Sequence, residues 1–249
     1  MKHFAEEAIQ LIDIDKEPGV PGVRMLVFDV SRLPNEVVFE LGRLLTPAEL
    51  HRASRFRFAS HRRVYLSSLG MLRKIAADVL GSSGSGLLIE EGKFGKPYFK
   101  GYRSELPFSL SKSGEVVAIA VDFAGREVGI DIEMINSRFE YWEVAGYYFS
   151  KQECDRIFNH RDYFRLKTMK EALLKCTGVG VVEDATRIDL SQPVNRMQVM
   201  DERLLPFKSK GFSLFTFDNG EAVFTLALSV AGFQGIEMEG VKVSTAYFM

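Results

Sequence analysis

Apolar and polar positions along the chain sort into short strand-type runs and longer stretches with helical spacing. Strands are predicted at RMLVFDV (Arg24 to Val30), PFSLS (Pro107 to Ser111), EVVAIAVDF (Glu115 to Phe123) and VGIDIEM (Val128 to Met134). Shorter strands are expected around Leu87–Glu90 and Tyr98–Phe99, and later ones over Phe212–Phe217 and Ala222–Val230. TPAEL, from Thr46, opens a helix: Thr is a good N-cap, Pro follows at the first helical position, and Glu49 stands three residues after the cap. A helix over about Arg62–Leu80 ends at Gly81, before the flexible run GSSGSG. FSKQECDRIF, from Phe149, reads as helical, and a further helix over roughly Asp162–Cys176 ends in TGVG.

The second half of the chain repeats the order of the first. HRRVYLSSLGMLRKIAADVLG from His61 can be laid beside HRDYFRLKTMKEALLKCTGVG from His160 with little identity but matching order, which suggests a duplicated α+β unit. Strands and helices do not alternate as βαβα, so a doubly wound parallel sheet is disfavoured. In this alignment Leu72 stands opposite Glu171. The first copy is apolar where the second is charged, so chemistry is expected in the second.

A chain of 249 residues, 46% of them apolar, can bury a sizeable core in one large domain or two small ones. Its formal net charge of −1 argues against a general nucleic-acid binder. Cys154 and Cys176 show no CxxC spacing, and the four histidines lack metal-type spacing, so neither a disulfide framework nor a zinc site is expected. GSSGSG and GVG precede no GK[ST], so a nucleotide P-loop is unsupported. Glu6, Glu7, Asp13 and Asp15 interrupt the apolar residues of the N-terminal stretch, and no run approaches a membrane-spanning length. A cytoplasmic setting without membrane association is the expectation.

Chemistry concentrates in VGIDIEM and the helix that follows. On a strand Val128, Ile130, Ile132 and Met134 share one face, which puts Asp131 and Glu133 together on the other. Two carboxylates roughly 6–7 Å apart repel by about 2–3 kcal/mol at an effective dielectric of about 20. Full solvation would weaken that repulsion, and a bound cation would reverse it. On the later helix Leu166, Met169, Ala172, Leu173 and Cys176 form an apolar stripe, with Glu171 and Lys175 one turn apart on the opposite side and Lys167 and Lys170 flanking them. By themselves these residues also suit a wet strand face and a solvated Glu–Lys pair.

VGIDIE, then about forty residues, then MKEALLK, resembles the signature of the 4'-phosphopantetheinyl transferases. RFRFASHRR from Arg55, GKPYF from Gly95, PFSLSKSG from Pro107 and YFSKQE from Tyr148 match further pieces in the right order, over roughly Thr46 to Gly180. The resemblance is to the larger, surfactin-type members, and it implies an α+β fold of two similar halves: residues 1–125 making coenzyme A phosphate contacts, and residues 126–249 holding a magnesium site and the catalytic helix. It also implies the activity, transfer of the phosphopantetheine arm of coenzyme A to a serine of an apo acyl or peptidyl carrier protein with release of 3',5'-ADP. By the same resemblance, two halves in one chain should supply the whole cleft that smaller members build between subunits, so a monomer is the expectation, with the subunit state left open.

Carried over position by position, the resemblance makes Asp131, Glu133 and Glu171 the Mg²⁺ ligands, an oxygen-only set of the kind that ion takes. Lys175 would meet the α-phosphate and the departing 3',5'-ADP, and Lys170 another part of the phosphates. Glu153 and Glu171 compete as the base that prepares the serine. Arg52 and Arg63, in the basic run His51 to Arg63, match phosphate contacts, as do Lys96, Ser111 and Lys112. Three positions depart from the family pattern: Lys112 where His is usual, Lys167 where an aromatic is usual, and Val179 where the TGEG turn carries an acid. They leave open a non-catalytic paralogue that binds coenzyme A or a carrier protein without transfer.

Overall fold

The computed structural model of the chain describes residues 9–12, 22–180, 185–190, 211–230 and 236–239. The chain divides into two units, one of residues 1–90 with 97–125, the other of residues 91–96 with 126–248.

In the first unit β1 (Ile9–Ile12) and β2 (Val23–Asp29) are followed by α1 (Asn35–Gly42), α2 (Pro47–Ser54) and α3 (Ala59–Leu80). The small ladder of β3 (Ile89–Glu91) and β4 (Pro97–Phe99) precedes β5 (Phe108–Ser113) and β6 (Val116–Asp122). The main sheet has the order β1-β2-β6-β5, antiparallel throughout. Thr46 caps α2 in the expected way: its hydroxyl accepts from the Glu49 amide while the Glu49 carboxylate accepts from the Thr46 amide. α3 ends on Gly81 in the left-handed conformation. Val64, Met71, Leu72 and Ile75 of α3 pack with Leu26, Phe28, Val117, Ile119 and Val121 of the sheet, the first core. Registration of Leu26 with Ile119 and Phe28 with Val117 puts those strand side chains on one face. α1 was not legible in the sequence.

In the second unit β7 (Val128–Met134) is followed by α4 (Tyr141–Tyr148), α5 (Lys151–Cys154) and α6 (His160–Thr177), then by β8 (Gly211–Asp218), β9 (Ala222–Val230) and β10 (Ile236–Glu239). The sheet order is β10-β8-β9-β7, with β10 parallel to β8 and the other pairs antiparallel. The helix expected from Phe149 is only the short α5, because Phe149 closes α4 and Ser150 opens a new capping box with Glu153. α6 has Asn159 as N-cap and left-handed Gly178 at its end. Leu173, Leu174, Cys176 and Val179 join Ile188, Leu190, Phe212 and Leu214 in a core, and Phe149, Tyr163, Phe164 and Val223 form another.

The duplication is visible in the topology. Each unit runs strand, helices, hairpin, and in each the first strand pairs with the second strand of the hairpin: β2-β6-β5 matches β7-β9-β8. The outer strands break the likeness, since β1 adds beside β2 but β10 adds beside β8. The fold is α+β, as the order of elements predicted.

Candidate active site

β7 alternates as expected, and both of its faces are covered. Val128, Ile130 and Ile132 are buried on one side. Gly129, Asp131 and Glu133 look toward α6. A β-carbon on Gly129 would fall within 3 Å of backbone atoms of Ala172 and Cys176, so glycine is what lets helix and strand approach so closely. α6 runs antiparallel to β7, which places Lys167, Glu171 and Lys175, one turn apart from each other, along the carboxylates of the strand. These side chains therefore flank the helix–strand contact rather than standing on a side opposite to it.

Lys175 donates to Asp131 Oδ1 at 2.6 Å, and Asp131 is 5% exposed. Lys167 forms a partly buried ion pair with Glu133. The Tyr148 hydroxyl donates to Glu171 Oε1 at 2.5 Å. Burial, reinforced by the Glu171 charge, holds the Tyr148 phenol far above the ordinary tyrosine range, so it remains a donor at any working pH. Tyr148 thus adjoins the candidate site, a placement that the sequence did not disclose although Tyr148 opens the YFSKQE stretch already singled out. Facing Asp131 across the ladder is Thr225, whose hydroxyl lies 3.0 Å from those of Thr168 and Thr216, so a buried hydroxyl chain runs beneath the helix.

Lys170 lies elsewhere than the helical wheel suggested. It was expected beside Glu171 on the polar side, yet it is fully buried, because a residue one step back on the helix is turned by about 100° toward α5. Its ammonium donates to Glu153 Oε2 at 2.6 Å, to the Ala185 carbonyl at 2.9 Å and to the Tyr148 carbonyl at 3.0 Å, and it lies over the Tyr148 and Phe149 rings. Burial pulls the Lys170 pKa down and the Glu153 charge pulls it back up, with burial the larger effect. Glu153 is fully buried as well; it accepts from the Ser150 amide at 2.7 Å and the Leu190 amide at 2.9 Å besides Lys170. The two residues thus tie α5, α6 and segment 185–190 together, and S-x-x-E was the sequence sign of the capping part of that knot.

Lys96 donates to Glu127 at 2.6 Å and to the Cys176 carbonyl at 2.9 Å, at the C-terminal end of α6 where a cation is favourable. In the first unit the exposed Arg52 lies over the Tyr65 ring. Arg63 donates to the carbonyls of Val30 and Leu33 and to Asn35 Oδ1, and so orders the chain after β2. Ser111 and Lys112 are neighbours whose side chains go to opposite faces of β5, Ser111 buried and Lys112 exposed. Val179 packs in the core of its unit.

Asp131, Glu133 and Glu171 offer only oxygen donors, the kind a hard divalent ion takes. Among the described residues, however, no three histidine, cysteine or carboxylate side chains converge on a common point as a metal cluster would. Each of the three carboxylates is engaged by a protein donor. No helix among the described residues is long and apolar enough to cross a membrane.

Residues 127–222 match the family model of the 4'-phosphopantetheinyl transferase superfamily, a stretch that includes Asp131, Glu133, Glu153, Glu171 and all the lysines of α6. The chain is 32% identical over 158 residues to 4'-phosphopantetheinyl transferase HetI of Nostoc sp., covering 60% of this chain and 66% of that protein. It is 34% identical over 135 residues to 4'-phosphopantetheinyl transferase psf-1 of Bacillus pumilus, covering 52% and 56%. A putative 4'-phosphopantetheinyl transferase of Synechocystis sp. is 27% identical over 145 residues, covering 55% and 58%. The stretch that carries the paired carboxylates of β7 and the Lys–Glu–Lys edge of α6 is thus similar to the 4'-phosphopantetheinyl transferase superfamily, and the chain spans less than two thirds of the length of each of these relatives.

Proposed function

We propose that the protein transfers the 4'-phosphopantetheine arm of coenzyme A to a serine of an apo acyl or peptidyl carrier protein and releases 3',5'-ADP, with Mg²⁺ held by Asp131, Glu133 and Glu171. The observation that supports this reading is the antiparallel contact of α6 with β7 within the stretch that matches the family: Lys175 donates to Asp131, and Tyr148, bonded to Glu171, feels the charge of both carboxylates. In the reaction the serine oxygen bonds to the phosphorus carrying the pantetheine arm, and the bond from that phosphorus to 3',5'-ADP breaks. Mg²⁺, when bound, supplies positive charge to the pyrophosphate oxygens.

Glu171 takes the proton of the serine hydroxyl, with its other carboxylate oxygen steadied by Tyr148. Glu153 is the weaker candidate for that step, since Lys170 and two backbone amides already engage its carboxylate in the interior. Lys175 stabilises the charge that develops on the departing 3',5'-ADP. Lys170 and Lys96 act one layer out, holding α6 in place. We assign recognition of the coenzyme A 3'-phosphate to residues 1–125, through Arg52 and Lys112 with Ser111 and Arg63 in support, and the metal and the chemistry to residues 126–249. A monomer in the cytoplasm is part of the same reading, and its two free cysteines accord with a reducing compartment.

One observation favours a second reading, a paralogue that binds coenzyme A or a carrier without transfer: Lys167 is paired with Glu133, an expected metal ligand. Incubation with coenzyme A, Mg²⁺ and a panel of apo carrier proteins, followed by mass spectrometry of the carriers, separates the two. A gain of one phosphopantetheine supports transfer. Binding of coenzyme A with no gain on any carrier supports the paralogue.

A further inference from the structure

Resting on that reading of the metal site, we infer that Lys167 is a built-in competitor of the divalent ion, one that neutralises Glu133 and lowers the ion affinity of the site. The helix edge carries Lys167, Glu171 and Lys175 on successive turns, and the strand opposes Glu133 to Lys167 and Asp131 to Lys175. Among the described residues, these three carboxylates against these two ammoniums leave one net negative charge, too little by itself to balance a divalent ion. Without Lys167 the same cluster would carry two negative charges and would balance it.

The two lysines are not equivalent. Lys175 pairs with Asp131 at the end of the site nearer the Gly129 contact and is the group assigned to the departing phosphate. Lys167 has no such assignment. It pairs with Glu133, with side-chain exposures of 28% and 22%, so the pair is sheltered enough to matter and open enough to exchange with ions from solvent. A divalent ion on Glu133 must displace the Lys167 ammonium or lie close to it, and either costs affinity. The chain therefore loads its ion chiefly through Asp131 and Glu171, and at a higher free concentration than the same site would need with a neutral residue at 167.

The test is direct titration of the full-length protein with Mn²⁺, followed by electron paramagnetic resonance of the free ion, at low and at high salt. Lys167→Met and Lys167→Gln should each tighten Mn²⁺ binding by about tenfold at low salt, Lys167→Arg should leave it within about twofold, and high salt should narrow the gap. Two neutral variants are used so that a folding defect in one does not decide the outcome. Mn²⁺ affinity that is unchanged or weaker in both neutral variants overturns the inference. Glu171→Gln separates this from failure of the site itself: if it abolishes Mn²⁺ binding while the Lys167 variants change nothing, the metal site stands and the role of Lys167 falls. If Glu171→Gln binds Mn²⁺ as the wild type does, both fall.

Discussion

The backbone of Ala172 lies so close to Gly129 that a β-carbon on the glycine would stand 2.0 Å from the Ala172 carbonyl oxygen. The Cys176 amide nitrogen would be 2.3 Å from the same carbon. Both obstacles are backbone, so no side-chain rotation relieves them, and α6 would have to move off β7. The same device recurs in the other unit, where a β-carbon on Gly70 of α3 would meet the Leu41 carbonyl oxygen at 2.4 Å.

Gly129→Ala should therefore destabilise the protein by about 3 kcal/mol, at the upper end of overpacking effects. Variants that still fold should lose divalent-ion binding, since the helix edge is displaced from Asp131. Urea unfolding measures the first and Mn²⁺ titration the second. A variant with the wild-type unfolding midpoint would show that the close approach is not required.

Tyr148→Phe removes one oxygen and keeps the ring. Because the phenol donates to Glu171 rather than supporting the core, stability should change by about 1 kcal/mol or less. Loss of a hydrogen bond that orients the carboxylate proposed as a metal ligand should weaken Mn²⁺ binding by about tenfold. Equal Mn²⁺ affinity in variant and wild type would remove Tyr148 from the site.

The buried pair of Lys170 and Glu153 gives a prediction of opposite character. Lys170→Met or Glu153→Gln alone should cost about 3–5 kcal/mol by leaving one buried charge unpaired. The double variant should cost less than the two single losses together, by more than about 1 kcal/mol, because the residues act as a unit. Strict additivity in denaturant unfolding would contradict the pairing. Since burial lowers the Lys170 pKa, the folded chain gives up this proton at lower pH than the unfolded chain does. Between those two values the unfolded chain binds more protons, so the Lys170 contribution makes stability rise with pH. Lys170→Met should remove that rise.

Lys112 is exposed at the end of β5 and is assigned to the coenzyme A 3'-phosphate. Lys112→Ala should weaken coenzyme A binding by about fivefold while scarcely affecting the analogue that lacks the 3'-phosphate. Calorimetry with both ligands decides the point, and equal weakening of the two would rule the role out.

The sequence disclosed elements where periodicity and end signals agreed. β2, β5, β6 and β7 fell where strand-type runs stood, and α3 and α6 closed on Gly81 and Gly178 as the glycines implied. Side-chain alternation placed Asp131 and Glu133 on one face, and helical spacing placed Glu171 one turn from Lys175. What periodicity could not supply was the partner of each face. Lys170 and Lys167 both looked like solvated helix charges, yet one is buried against Glu153 and segment 185–190 and the other is paired with a strand. Both partners lie far away along the chain, and only the tertiary fold brings them in. Tyr148 was hidden for the same reason: nothing near it in sequence shows that its hydroxyl reaches Glu171, 23 residues on.

Transfer itself is the central claim, and it is tested most directly by the rate at which an apo carrier protein gains phosphopantetheine mass as Mg²⁺ is titrated, for the wild type, Asp131→Asn and Glu171→Gln. The wild type should load the carrier only when Mg²⁺ is present, and each variant should be slower by at least about a hundredfold while unfolding like the wild type. Wild-type rates in both folded variants, or loading that ignores the metal, would contradict it.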